Sequence, residues 1–63
     1  MTINGEKLEL NELNFIEYLE QKGLKAEFVA LELNGEIISK DKFAKLVLKT
    51  DDKAEVVSFV GGG

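Results

Sequence analysis

A chain of 63 residues is enough for one domain around a single hydrophobic core, near the lower limit at which such a core holds a fold without staples. It contains no Cys and no His, which excludes disulfides, thiolate nucleophiles, imidazole bases and the usual zinc ligand sets, while 44% apolar and 32% charged residues mark a folded globular chain. The formal net charge of −4 argues against nucleic-acid phosphates or anionic lipid as partners, since those contacts need Lys and Arg, and favours a protein partner with a basic docking surface.

The first residues, Met1-Thr2-Ile3-Asn4-Gly5-Glu6, lack the basic and apolar segments of a secretory signal, and no apolar run approaches membrane-spanning length. A cytoplasmic location is expected. Asn4-Gly5 tolerates the positive φ angles of a type I′ turn, so a short strand at Thr2-Ile3 should pair with a second one running through Leu10. Leu8 and Leu10 alternate with Lys7 and Glu9, which predicts a half-buried strand.

Asn14 is placed to cap a helix, with Glu17 completing a capping box and Leu13 stapling against Tyr18. Phe15, Ile16 and Leu19 then share one face, and Gly23-Leu24 suits a Schellman stop. From Glu27 to Leu33 an apolar run predicts an interior strand, turning at Asn34-Gly35 into a further strand at Glu36-Ile37-Ile38-Ser39. Asp41 to Leu46 should hold a short helical turn with Phe43 and Leu46 facing the core. After the polar turn Thr50-Asp51-Asp52-Lys53, the run Ala54 to Val60 is apolar on both faces, as a central strand is.

One helix and one sheet in the order ββα followed by strands is an α+β layering. It fits a ubiquitin-like β-grasp roll, a mixed sheet of four to five strands covered by one main helix. Phe15, Ile16, Leu19, Leu31 and Val57 are the expected core. Residues 1–60 form the domain, and residues 61–63 a flexible glycine tail.

The acidic residues Glu6, Glu9 and Glu12 alternate with apolar ones along a strand edge, and Asp51-Asp52 is a turn, so both groups read as solvated surface and no metal site is expected. Lys40, Lys42, Lys45 and Lys49 are dispersed rather than gathered around aromatics, unlike a nucleic-acid groove. No side chain stands out as catalytic.

Gly61-Gly62-Gly63 is the anomaly. With Gly near 7% of residues, such a triplet arises by chance at roughly 3 in 10,000, so it asks for a cause. Stability is not that cause, because three glycines add no core area and lose backbone entropy when ordered. A side-chain-free stem, Gly61 and Gly62, can thread a narrow channel in another enzyme and present the α-carboxylate of Gly63 there. Ionised at neutral pH, that carboxylate can attack the α-phosphate of ATP to give an acyl-adenylate, which a sulfur nucleophile opens to a thiocarboxylate. Of the two residues before the stem, Phe59 and Val60, alternation sends one to the sheet core and leaves the other to contact the partner.

In three segments the sequence resembles the ThiS family of thiamine-biosynthesis sulfur carriers. These are Ile3-Asn4-Gly5-Glu6, then Val29-Ala30-Leu31-Glu32-Leu33-Asn34-Gly35-Glu36-Ile37-Ile38, and Asp52-Lys53-Ala54-Glu55-Val56-Val57-Ser58-Phe59-Val60 running into the glycines. Ser39 stands where the family commonly has Pro, Phe43 where it has Trp, and Asp51 where a turn Gly is usual. The resemblance implies that Gly63 is adenylated by an E1-like enzyme of the ThiF type, which uses the ATP. It further implies that Gly63 is thiocarboxylated with sulfur drawn from a cysteine desulfurase and donates to a thiazole synthase of the ThiG type. The chain itself then binds no cofactor and is not an enzyme. The same carboxylate chemistry also suits a carrier for molybdopterin or another sulfurated product, or a ubiquitin-like protein modifier, and a plain β-grasp interaction module with an appended tail is the remaining reading.

Overall fold

The computed structural model of the chain describes residues 1–59. Strands β1 (Thr2–Ile3) and β2 (Glu6–Lys7) form the first hairpin, with Asn4 at φ 52° and Gly5 at φ 82° as the type I′ turn requires. β2 is shorter than its sequence pattern suggests. Pairing ends where the Leu8 N–H donates to the Met1 carbonyl at 2.9 Å; with no strand opposite beyond that point among the described residues, Leu10 is exposed and only Leu8 packs on the core.

Helix α1 (Phe15–Gln21) begins as the sequence predicts, with the Asn14 side chain accepting from the Glu17 N–H at 3.0 Å. A short strand, β3 (Glu12–Asn14), leads into the helix, and among the described residues the capping box is only half made, with no bond from the Glu17 carboxylate back to the Asn14 N–H. Its C-terminus is the expected Schellman stop: Gly23 adopts φ 72°, Leu24 N–H bonds Leu19 C=O at 2.8 Å, and Gly23 N–H bonds Glu20 C=O at 3.1 Å. Phe15 and Leu19 are buried and Ile16 is half-buried beneath this helix.

A 3₁₀ turn at Ala26–Phe28 takes up the first residues of the predicted third strand, so β4 spans Val29–Leu33. Asn34 (φ 52°) and Gly35 (φ 87°) turn it into β5 (Glu36–Ile38). The predicted helical turn is a 3₁₀ segment, Lys40–Lys45, whose Phe43 is buried edge-to-face on Phe15 with ring centroids 4.9 Å apart. β6 (Val47–Lys49) and β7 (Lys53–Ser58) follow.

The main sheet runs β2-β1-β7-β4-β5, with β1 and β7 parallel and the other neighbours antiparallel. β4 and β7 are interior, as their two-sided apolar runs predict. A second sheet pairs β3 with β6, Leu13 opposite Leu48, and was not expected from the sequence. Ile3, Phe15, Leu19, Val29, Leu31, Phe43, Leu48 and Ala54 make up most of the core. Val57 does not belong to it. The helix covers one sheet face only; Ala54 and Val56 point to it, so Val57, one residue on, points away and is 55% exposed.

Candidate functional site at the end of the last strand

β7 leads from the centre of the sheet toward the glycines, and its two flanks are held differently. On the β4 side, Asn34 N–H donates to Lys53 C=O at 2.8 Å and Phe59 N–H to Phe28 C=O at 2.7 Å, so the antiparallel ladder runs to Phe59. On the β1 side, backbone pairing ends at the bond from Asn4 N–H to Ala54 C=O. There the Asn4 carboxamide takes over, accepting from Val56 N–H at 2.7 Å and donating to Val56 C=O at 3.2 Å.

The other Asn-Gly turn also grips this strand. Asn34 accepts from Lys53 N–H at 2.9 Å and donates to an Asp52 carboxylate oxygen at 2.9 Å, while the second Asp52 oxygen accepts from Lys49 N–H at 2.8 Å. The Asn34 side chain first, and the Lys49 backbone next, hold the Asp52 carboxyl below its ordinary value. Each Asn-Gly turn therefore makes a hairpin and clasps β7.

Phe59 lies just past the strand and is 53% exposed, beside the partly exposed Phe28. Both line an open groove of about 450 Å³ with Leu24, Lys25 and Val29. Phe59 is thus not the residue that completes the sheet core, and its exposed ring is available as a contact surface. Val60, Gly61, Gly62 and Gly63, and with them the boundary between domain and tail, lie outside the described residues. On the uncovered sheet face Ile37 is 77% exposed and shares that face with Val57. Sequence reasoning did not single out Ile37, though alternation in Glu36-Ile37-Ile38-Ser39 requires one of its two isoleucines to face outward.

Glu6, Glu9, Glu12 and Asp51 are exposed, Glu12 pairs with Lys49 at 3.3 Å, and no acidic group that could hold a metal occurs among the described residues. No helix among them is long and apolar enough to cross a membrane.

The model of the ThiS family matches this chain over residues 1–63. The chain belongs to the ThiS family. The crystal structure of the thiamine biosynthesis protein ThiS from Geobacter metallireducens superposes with a TM-score of 0.71 at 35% identity, covering 98% of this chain and 96% of that one. The β-grasp assignment follows from that likeness together with the mixed five-stranded sheet and its single helix. An uncharacterized protein, ycf40, from Trieres chinensis is 32% identical over 62 residues, covering 97% of this ThiS-family chain and 85% of its own length. A thiazole synthase from Paramagnetospirillum magneticum is 36% identical over 64 residues, and there the chain spans only 20% of the relative's length.

Proposed function

We propose that this protein is a sulfur carrier whose Gly63 carboxylate is adenylated and then converted to a thiocarboxylate, the sulfur donor for the thiazole ring of thiamine. The observation that carries the reading is the ThiS-family match through the final glycine triplet. Geometry supports it: β7 is gripped on both sides as far as Val56 and on the β4 side as far as Phe59, so the strand that precedes the stem is firmly held through its described residues. Rigid presentation matters because a reacting carboxylate displaced by an ångström loses much of its rate.

In the first step a carboxylate oxygen of Gly63 attacks the α-phosphorus of ATP in an E1-like, ThiF-type partner, and pyrophosphate leaves. In the second, the terminal sulfur of an enzyme persulfide loaded by a cysteine desulfurase attacks the acyl carbon and AMP leaves; a thiol then reduces the S–S bond of the resulting acyl disulfide and frees the thiocarboxylate, so that sulfur replaces one oxygen. ATP is the partner's substrate, and the chain binds no cofactor of its own. The exposed Phe59 ring provides apolar contact beside the stem. A thiazole synthase related to this chain supports a ThiG-type enzyme as the acceptor. The chain is then a protein-borne donor on which its partners act.

Intact-mass measurement on protein purified from its native host tests this. One oxygen replaced by sulfur at Gly63, in a form that iodoacetamide alkylates, is the expected result; the chain has no Cys to confuse the alkylation. Isopeptide conjugates in place of the sulfur form would overturn it in favour of a protein modifier.

A further inference from the structure

The two flanks of β7 end at different places, and the difference leaves one peptide group open. In an antiparallel ladder, residues that exchange hydrogen bonds alternate with residues whose N–H and C=O point to the opposite side. The bonds at Lys53 and Phe59 fix the phase: odd-numbered residues of β7 bond to β4, and Ala54, Val56 and Ser58 turn their peptide groups toward the β1 side. There Ala54 is met by the Asn4 backbone and Val56 by the Asn4 side chain. Ser58 is met by no described residue. The hairpin turns away at Asn4-Gly5, so among the described residues nothing continues the lane of β1 beside Ser58. An open groove of about 440 Å³, lined by Asn4, Glu6, Tyr18, Lys22 and Leu24, flanks that position.

We propose that this lane is a strand-addition site, in which an extended segment of the adenylating partner pairs with the Ser58 N–H and C=O and continues the β1 lane past Asn4. The proposal rests on the reading that a partner takes hold of the glycine stem. Polarity gives the class of occupant, since an N–H and a C=O on one residue are answered by the peptide group of an extended chain, as the Asn4 carboxamide already answers Val56; position gives the chain, since Ser58 stands five residues before Gly63 and the partner that takes the stem must pass beside it. A second copy of this chain is the competing occupant. Strand addition here holds the residue two positions before Val60 straight, which orients the stem without using any side chain.

The geometry permits a selective test. Ser58 N–H takes no part in the β4 ladder, so Ser58→Pro removes the open-side donor and leaves the pairing of β4 with β7 intact. Phe59→Pro instead removes the bond to Phe28 and serves as the structural contrast. Affinity for the ThiF-type enzyme should fall roughly tenfold or more in Ser58→Pro and stay unchanged in Ser58→Ala, which keeps the peptide group. Amide hydrogen exchange in the wild-type chain avoids any substitution. Ser58 N–H should exchange fast in the free protein while Phe59 N–H is protected, and should slow about tenfold or more in the complex. Equal loss in Ser58→Ala would overturn the inference in favour of a hydroxyl contact. Ser58 exchange unaltered in the complex would also overturn it, as would protection that arises when the free protein is merely concentrated. Sulfur acquisition by the wild-type chain is scored in parallel: its absence sinks the carrier reading, whereas its presence with an indifferent Ser58 sinks only the strand-addition site.

Discussion

Asn34 shows how one side chain serves two levels of the fold. Its positive φ makes the turn, and its carboxamide bridges to Asp52 and Lys53. Asn34→Gly keeps the left-handed backbone but deletes the clasp, and should cost about 1 kcal/mol near neutral pH, read from denaturant midpoints. The folded-state pKa of Asp52 is lowered, so its contribution is complete above the ordinary 3.8 and is lost as pH falls through the lowered value. The gap between wild type and Asn34→Gly should therefore narrow in acid; a gap that widened there would contradict the assignment. Burial decides a second pair of residues. Leu31 is fully buried and Leu31→Ala should cost about 2–5 kcal/mol, whereas Val57→Thr on the open face should stay within about 0.5 kcal/mol.

At the scale of elements, what the sequence announces is chemical and local. Both Asn-Gly turns, the Asn14 cap and the Gly23 stop are legible because each depends on a residue type with a particular backbone or side-chain property. Gly23→Ala tests the stop: open space surrounds the position, so the only penalty is the left-handed conformation, about 1–2 kcal/mol by thermal melt. The pairing of β3 with β6 was not legible, because strands of three residues carry no period and Glu12-Leu13-Asn14 doubles as the lead into the helix. Val57 was misplaced for a related reason. A run apolar on both faces identifies an interior strand but not which face the single helix covers, and only the register with β4 settles that. At the candidate site the glycines and Phe59 were visible in the sequence, while Ser58 was not, since an open peptide group depends on where a neighbouring strand stops.

The whole molecule is a small acidic roll with the chemistry assigned to its last residue. With a net charge of −4 and a single ion pair among the described residues, attraction to a basic partner is long-range and screened. Affinity for the adenylating enzyme should therefore fall as salt rises, and an affinity indifferent to salt would argue for a wholly apolar interface. Because glycines carry no side chain to bury, removing Gly63 or appending one alanine should shift stability by no more than about 0.5 kcal/mol. The measurement that bears most directly on the carrier reading compares the wild-type chain with the alanine-extended one, each incubated with a ThiF-type enzyme, ATP and a desulfurase-derived sulfur source, and reads terminal sulfur by intact mass. The wild type should exchange one oxygen for sulfur at Gly63 while the extended chain, equally folded, gains none. Sulfur appearing on the extended chain at the wild-type rate would contradict the account.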